Sequence, residues 1–417
     1  MSLSERIIES NKGLLGEMVQ LKYQAMSESA FRFFRGTCDL FYQDLATWKA
    51  LPNSPLGWIC GDLHVENFGS YKSDEGQVYF DLNDFDEAIL APVALELVRM
   101  ITSIFLCFDF LELEEVKAAN MVQVFLKNYS AVLVAGKALA IEPRIAKGII
   151  KTFLDAVCKR KQTRLLDKRT EVKKSKVVLS LEDERHFELE KDLKDDLTVH
   201  LTDWLKNHDK SPYNFKVKDV VFRLAGTGSV GTKRYMFLLE SLQKKGKYLI
   251  VDMKQSQPSA LNPFVKTKQP SWTCEAERVV FTQELSQHMP CALLSYTIFK
   301  GDSYVMKEMQ PTEDKIKFRL IQDQYRDIYQ VIDDMALLTA SAHIRSSGRS
   351  GSAIADELIE FGKRTDWQQA LTDYAQEYYK KVKKDYKIFK EGFESGLYVQ
   401  KISKKRHKIN NHLTINI

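Results

Sequence analysis

The chain has 417 residues, of which 44% are hydrophobic and 28% are charged, an ordinary composition for a globular protein with a large buried core. Its net charge of +5 is too small and too dispersed to indicate a nucleic-acid-binding surface. The six cysteines stand singly, without a CxxC pair, which argues against a disulfide framework and against a zinc site.

The N-terminal segment alternates charged and apolar residues and lacks the uninterrupted apolar region of a signal peptide. The most apolar stretches, 101–110 and 131–141, are too short or too interrupted to cross a bilayer. We therefore expect a cytoplasmic protein that needs neither a membrane nor a nucleic acid as partner. The oligomeric state is left open.

In chain order, residues 1–50 have apolar side chains at helical spacing, and two short strands flank the polar segment 61–70. From 92 to about 166 apolar residues recur every three or four positions, which predicts core-facing helices. Residues 159–212 are dense in charge and look like exposed helices or a connector.

The second half changes character at about residue 219, where three β-strands are predicted at 220–224, 234–239 and 248–251. A helix at 274–288 and a strand at 304–306 follow, and the remainder from 315 to about 393 is strongly helical. No internal repeat is visible.

The first candidate site combines the runs Gly61-Asp62-Leu63-His64-Val65-Glu66-Asn67 and Asp81-Leu82-Asn83-Asp84-Phe85-Asp86. Phosphoryl transfer needs a carboxylate that accepts the proton of the attacking hydroxyl, and oxygen ligands that hold Mg²⁺. Asp62 is the candidate for that carboxylate, and Asn67 and Asp84 are the candidates for metal ligands. Such residues in loops also serve as turn and capping residues, which is the alternative interpretation. His64, Asp81 and Asp86 are further candidates here.

The second candidate is a Gly-x-Gly-x-x-Gly segment that contains Gly226, Gly228, Ser229 and Gly231 and lies between two predicted strands. A dinucleotide-binding turn would lead into a helix, whereas this segment leads into a strand, which favours a kinase-type phosphate loop. Glycines allow the backbone amides to approach phosphates closely. A plain glycine-rich hairpin is the alternative.

Lys254 ends the next predicted strand and could pair with nucleotide phosphates, although a lysine leaving a strand is usually solvated. In kinase-type sites a glutamate on the following helix holds this lysine. Glu275, Glu277 and Glu284 lie on the predicted helix, and we favour Glu277.

Other polar residues have alternative roles. His343 lies in a small-residue helix where a structural role is at least as plausible as catalysis. Arg345 at the end of this helix could contact phosphate or an acidic site residue, or it could complement the helix dipole. Arg35, Arg345 and the basic run 159–176 are candidates for binding an anionic acceptor. A solvated helix face is the alternative for that run.

The motif at 61–67 resembles the catalytic loop of aminoglycoside phosphotransferases and choline kinases, and Asp-Phe-Asp at 84–86 resembles their metal-binding strand. Together with Phe-Arg-Gly at 34–36, Gly-Ser-Val-Gly-Thr at 228–232 and Ala-His-x-Arg-Ser at 342–346, nearly the whole chain resembles the bacterial family called domain of unknown function 2252. That family is grouped with the protein-kinase-like superfamily.

The resemblance implies a bilobal α+β fold and assigns roles to individual residues. It implies Asp62 as catalytic base, Asn67 and Asp84 as magnesium ligands, the glycine segment and Lys254 as nucleotide-binding residues, and His64 as support for the loop. The motif order departs from kinases, because the catalytic-loop motif precedes the glycine segment.

A circular permutation would reconcile this order with a kinase-like fold. It predicts a helical lobe with the catalytic and metal-binding loops at 1–212, a β-rich nucleotide lobe at 213–310, and completing helices at 311–417. It also requires that Asp62 and Asp84 lie within about 10 Å of Lys254 and the glycine segment, with nucleotide and metal between them.

From these motifs we expect an ATP- and Mg²⁺-dependent phosphotransferase with a hydroxyl acceptor, a small molecule being favoured over a protein. Two alternatives keep the fold: an adenylyl transferase with a reversed nucleotide, and a nucleotide-binding pseudokinase. A metal-dependent hydrolase built on Asp62, His64 and Asp84 would leave the glycine segment without a role.

Overall fold

The computed structural model describes residues 1–14, 16–183, 185–224, 231–312 and 315–398. The helices are α1 (Leu3–Ser10), α2 (Gly16–Met26), α3 (Ala30–Gly36), α4 (Cys38–Leu45), α5 (Val93–Phe110), α6 (Glu115–Ala135), α7 (Gly148–Cys158), α8 (Gln162–Arg169), α9 (Lys191–Asn207), α10 (Glu275–Ser286), α11 (Tyr325–Arg345), α12 (Ala355–Lys363) and α13 (Asp366–Glu394). A short 3₁₀ helix spans Phe318–Leu320.

The strands complete a mixed α+β fold, as expected from the sequence. They are β1 (Leu56–Ile59), β2 (Phe68–Lys72), β3 (Val78–Leu82), β4 (Ile89–Pro92), β5 (Thr170–Lys173), β6 (Lys176–Leu179), β7 (His186–Phe187), β8 (Phe215–Arg223), β9 (Arg234–Ser241), β10 (Tyr248–Gln255), β11 (Ser295–Phe299) and β12 (Asp302–Glu308). The strands predicted after residue 219 correspond to β8, β9 and β10.

The largest sheet is antiparallel, with the strand order β11-β12-β10-β9-β8-β7. Three antiparallel pairs accompany it: β1 with β4, β2 with β3, and β5 with β6. Arg234 at the start of β9 pairs with Lys254 near the end of β10. The end of β8 and the start of β9 therefore lie at the same end of the sheet that carries Lys254.

Both faces of this sheet are covered. Because successive side chains of a strand alternate between faces, Val251 and Met253 of β10 pack with Leu197 of α9, whereas Ile250 packs with Leu165 of α8. Segments 162–207 thus pack on the sheet, although the sequence interpretation placed them in the helical lobe. The reason is that the buried apolar stripe of α9 and the half-buried Leu165 and Leu166 of α8 cannot be assigned to a partner from spacing alone.

The helical part of the molecule surrounds α5, which is buried on nearly all sides. An apolar sequence such as Met100 to Phe108 predicts such a central position. Helix α13 packs along α5, and α11 packs against α6 and reaches β1. Within this apolar helix Glu96 and Arg99 are almost fully buried, at 1% and 0% exposure. Two buried charges at the centre of a core require partners.

Among the described residues, no helix is long and apolar enough to cross a membrane. All six cysteines are described and none forms a disulfide.

Candidate functional site

The loop that follows β1 is held by the helices behind it. Glu96 Oε1 accepts a hydrogen bond of 2.7 Å from the main-chain N–H of Cys60, and the hydroxyl of Tyr42 donates to the carbonyl of Gly61. Gly61 has a φ of +81°, and a Cβ there would lie 2.1 Å from the carbonyl oxygen of Glu87. A glycine is therefore required where the chain enters the candidate catalytic loop.

Asp62 is oriented by a buried arginine. Arg99 Nε lies 2.7 Å and Nη2 2.5 Å from Asp62 Oδ1, and the guanidinium lies 4.2 Å from the centre of the Phe34 ring. The Asp62 side chain keeps 22% exposure. Burial raises the pKa of Asp62, although Arg99 acts in the opposite direction. Arg99 fixes the carboxylate, and burial makes it a better proton acceptor than a free aspartate.

Asn67 joins the two halves of the first motif. Its Nδ2 donates to the main-chain oxygens of Asp62 and Asp84, each at 3.1 Å. Its Oδ1 accepts a 2.7 Å hydrogen bond from the main-chain N–H of Asp84. The pairing of β2 with β3, with Phe68 opposite Leu82, brings these residues together. Asp62 and Asp84 are thus neighbours through one amide side chain.

Lys254 reaches this loop from the sheet. Its Nζ lies 3.7 Å from Asp84 Oδ1 and forms an ion pair with Asp86. Burial by itself would raise the pKa of Asp84, but Lys254, Lys307 and Arg234 lower it. The same ion pairs raise the pKa of Lys254 against the effect of burial. Residues more than 160 positions apart in the chain therefore meet in one charged site.

Most of the glycine segment lies outside the described residues, and this includes Gly226, Gly228 and Ser229. Its last glycine, Gly231, has a φ of +111°, and a Cβ there would lie 2.9 Å from Leu14 Cβ. Lys233 follows, and its main-chain N–H donates to Gln255 Oε1 at 2.9 Å. Lys233 consequently lies beside the strand end that carries Lys254.

The prediction that Glu277 holds Lys254 is wrong. Glu277 lies in the first turn of α10, where its carboxylate accepts a hydrogen bond of 2.5 Å from the main-chain N–H of Thr273. The side chains of α10 that line the cleft beside Lys254 are Val279 and Gln283. Gln283 is 1% exposed, and its Oε1 has no hydrogen-bond partner among the described residues. The carboxylates that hold Lys254 come instead from the loop after β3.

Arg35 and His64 lie together beside the candidate catalytic loop. Arg35 forms an ion pair with Glu66, which also binds Lys315 Nζ at 2.5 Å. Arg35 Nε lies 3.2 Å from His64 Nε2, while the main-chain N–H of Glu66 lies 3.1 Å from His64 Nδ1. Burial and the neighbouring cations lower the pKa of His64 well below its usual value, so the ring is neutral. Its contacts support the loop.

His343 and Arg345 serve the scaffold. His343 Nε2 lies 2.7 Å from Glu96 Oε2, and His343 Nδ1 lies 2.8 Å from the Tyr129 hydroxyl. Arg345 Nη1 lies 3.3 Å from Asp81 Oδ2 and donates to the carbonyl of Ser286 at 2.5 Å. Arg345 therefore contacts an acidic residue of the first motif, one of the contacts expected for it, and neither Asp81 nor Arg345 lines the cleft.

The site opens onto a cleft of about 980 Å³. Six of the singly predicted residues line it: Arg35, His64, Asn67, Asp84, Asp86 and Lys254. From the basic run, Arg160, Lys161, Arg164, Lys168 and Arg169 line it too. Asp62, the candidate base, is not among the lining residues. Of its described lining residues, thirteen are Arg or Lys and five are Asp or Glu. A second cavity of the same volume, lined by Tyr79, His288 and Asp334 among others, contains none of the predicted residues. The first cleft is therefore the candidate site.

The donor atoms at Asp84 fit a magnesium ion that arrives with a nucleotide. Among the residues the structure describes, no group of three or more His, Cys, Asp or Glu has the arrangement of a metal site. Protein Mg²⁺ sites often use one or two carboxylates together with water and substrate phosphates. The Asp84 side chain is 60% exposed, and Asn67 Oδ1 retains one lone pair.

A family model described as "Uncharacterized protein conserved in bacteria (DUF2252)" matches residues 14–392. The chain belongs to this family. The match covers both segments that meet at Lys254 and Asp84. No curated protein and no solved structure matches the chain.

Several residues of this DUF2252 site were missed by sequence reasoning. Arg99 and Glu96, three positions apart in an apolar helix, are the buried partners of the catalytic loop, and charges in such a run were a usable signal. Glu66 links two cleft cations. Lys22 of α2 is 8% exposed. Burial lowers the pKa of its ammonium group, although nearby carboxylates such as Asp39 and Glu87 act in the opposite direction. Nothing in the local sequence distinguishes Lys22 from a solvated lysine.

Proposed function

We propose that the chain is an ATP- and Mg²⁺-dependent phosphotransferase with a circularly permuted, protein-kinase-like arrangement, acting on a hydroxyl group of a small molecule. One observation carries the proposal. Lys254 from the sheet meets Asp84 and Asp86 across the cleft, and Asn67 ties Asp84 to Asp62.

The order of elements around Lys254 supports the kinase-like interpretation. A glycine segment joins β8 to β9, Lys254 lies on the next strand, β10, and helix α10 follows. Protein kinases place a glycine-rich loop, the third-strand lysine and a helix in this order. The departure is the missing helix glutamate, because Asp86 and Asp84 hold the lysine here.

In the proposed reaction Lys254 binds the nucleotide phosphates, while Asp84 and Asn67 would hold Mg²⁺. The ion would neutralise charge on the phosphates. To reach the phosphates, Lys254 exchanges Asp86 for phosphate oxygens, which is feasible because Asp86 is 29% exposed. The carboxylate of Asp84 remains for the metal.

Asp62 orients the acceptor hydroxyl and takes its proton. The acceptor oxygen forms a bond to the γ-phosphorus as the bond from that phosphorus to the β,γ-bridging oxygen breaks, so that ADP leaves. Arg99 holds Asp62 in place during this step. The raised pKa of Asp62 favours its role as proton acceptor.

Nucleotide binding tests the proposal without knowledge of the acceptor. Isothermal titration with a non-hydrolysable ATP analogue should show Mg²⁺-dependent binding that weakens at least about tenfold in Lys254→Met, the loss of about one charged hydrogen bond. Asp84→Asn should lose the dependence on Mg²⁺. The control is Lys151→Met, which removes an exposed lysine paired with Asp155.

Equal affinity of wild type and Lys254→Met would contradict the proposal. Once an acceptor is found, ADP among the products supports phosphoryl transfer, whereas pyrophosphate indicates adenylyl transfer. Asp62→Asn should abolish turnover and leave analogue binding intact.

A further inference from the structure

We propose that the cleft has a second anion site beside the nucleotide, built by α8 with Arg185 and Lys307, for an acceptor that carries two or more phosphate groups. The description of this ligand as the acceptor rests on the proposed function. The anion site itself rests on the charges described below.

One face of α8 and its N-terminal flank points into the cleft. Lys161, Arg164 and Lys168 follow one another at intervals of three and four residues, and all three line the cleft. Residues at this spacing share one side of a helix. The basic run that sequence alone could explain as a solvated surface is therefore directed at the same space as the candidate catalytic residues.

The position of α8 follows from its packing. Leu165 of α8 and Ile250 of β10 belong to the same apolar cluster. Side chains two and four residues along a strand share a face, so Lys254 projects from the same face of the sheet as Ile250. The cations of α8 and the ammonium of Lys254 consequently border one volume, as their common place in the cleft lining confirms.

The carboxylate partners of the paired cations in the cleft nearly balance their charge. Arg223 and Arg234 share Asp252, Arg35 and Lys315 share Glu66, and Lys254 has both Asp84 and Asp86. This balanced group lies where the nucleotide and its metal are proposed to bind.

The second group is unbalanced. Lys161, Arg164, Lys168, Arg185 and Lys307 line the cleft, and their side chains form no ion pair with any other described residue. Five unpaired cations in one wall repel one another, and a bound anion removes that repulsion. A ligand of high negative charge is the complement of this wall.

Phosphate is the anion that the wall fits best. A phosphate monoester carries nearly two negative charges and three acceptor oxygens at neutral pH, so two such groups balance four cations. Arginine binds phosphate through two parallel N–H donors, and Arg164 and Arg185 both face the cleft. The cleft volume of about 980 Å³ is at the upper end for single small ligands, which leaves room beside a nucleotide.

Inorganic tripolyphosphate is the test ligand. With the protein saturated by Mg²⁺ and the non-hydrolysable ATP analogue, titration calorimetry should detect tripolyphosphate binding to the wild type. The double variant Arg164→Gln/Lys168→Gln should weaken that binding at least tenfold and leave analogue affinity unchanged. The matched control is Lys159→Gln/Lys176→Gln, which removes the same charge from exposed residues outside the cleft lining.

Three results would overturn the inference, and a fourth would reject its preference for phosphate. No tripolyphosphate binding to the wild type would remove the second site, and an equal loss in both double variants would reduce it to general attraction. A parallel loss of analogue affinity would assign these cations to the nucleotide. Citrate at matched ionic strength should bind more weakly, and equal binding would reject the preference for phosphate.

The result is separable from the proposed function. Tripolyphosphate binding that depends on α8, in a protein that fails to bind the analogue with Mg²⁺, would keep the anion site and reject the kinase-like function. Mg²⁺-dependent analogue binding without any tripolyphosphate site would do the reverse.

Discussion

Two walls of the site hold their charged groups in different ways: the catalytic-loop wall, whose Asp62 lies outside the cleft lining, and the opposite wall of the sheet and α8, which lines the cleft. On the catalytic-loop wall, Asp62 and the main chain of Cys60 are fixed by Arg99 and Glu96, both almost fully buried. On the opposite wall, Lys254 relies on the partly exposed Asp84 and Asp86. Arg164 and Lys168 of α8 lack ion-pair partners among the described residues, whereas Arg169 at its end pairs with Asp183. The charged contacts of the first wall are expected to persist when a ligand binds, whereas the cations of the second wall can exchange their partners for a ligand.

Burial explains the difference. A charge in the core is strongly destabilising without its partner, so the Arg99 and Glu96 contacts persist. An ion pair open to water contributes little, so a ligand phosphate can replace it at small cost. Three predictions test this contrast.

The largest effect is expected from Arg99→Leu. It removes the buried partner of Asp62 and should lower the free energy of unfolding by about 3 kcal/mol, the low end for a broken buried pair because Asp62 is partly exposed. Urea denaturation measures this. Adding Asp62→Asn should recover part of the loss. Lys151→Leu, which breaks an exposed pair, is the control, and a loss no larger than that of the control would contradict a rigid wall.

An intermediate effect is expected at Glu87, on the border between the walls. Burial raises its pKa to about 7, and the carboxylates of Asp62 and Asp86 act in the same direction. Between about pH 4.5 and 7 the folded state therefore keeps a proton on Glu87 that the unfolded state has lost. The free energy of unfolding falls as the pH rises through this range, and above about pH 7 Glu87 causes no further change.

Glu87→Gln lacks this titration. Relative to the wild type it should gain about 1 to 2 kcal/mol of stability between about pH 4.5 and 7, since partial exposure reduces the full effect. Thermal or urea unfolding across this pH range measures the difference. Parallel pH profiles for the two proteins would show that Glu87 is charged throughout.

The smallest stability effect is expected from Asp86→Asn. Its pair with Lys254 is partly exposed, so the free energy of unfolding should fall by less than about 1 kcal/mol. The released Lys254 should bind nucleotide without Mg²⁺ more tightly than in the wild type. A loss of stability comparable to that of Arg99→Leu would mean that both walls are rigid.

Local motifs were enough to find the residues that meet at the centre of the site. Asp62, Asn67, Asp84 and Lys254 were each selected from spacing and residue type, and the structure brings them together, although their roles stay predictions. Glu277 was wrong because the face that a short helix turns toward a site depends on how the helix packs. Its carboxylate instead accepts a hydrogen bond from the main-chain N–H of Thr273, just before α10.

The basic run shows a different limit. Sequence could state that Lys161, Arg164 and Lys168 are close together, and it left open whether they face solvent or a ligand. Leu165 and Leu166, packed on the sheet, decide the orientation of α8. The same packing decides that residues 162–207 accompany the sheet.

By itself the sequence determined the mixed α+β character, the family and the segments that carry acidic, glycine and lysine motifs, because these depend on residue type and short-range spacing. Only the tertiary structure decided that Lys254 meets Asp84, that Arg99 holds Asp62, and that the α8 cations face the cleft. Those facts depend on burial and on contacts between distant segments, and neither can be read from neighbours in the chain.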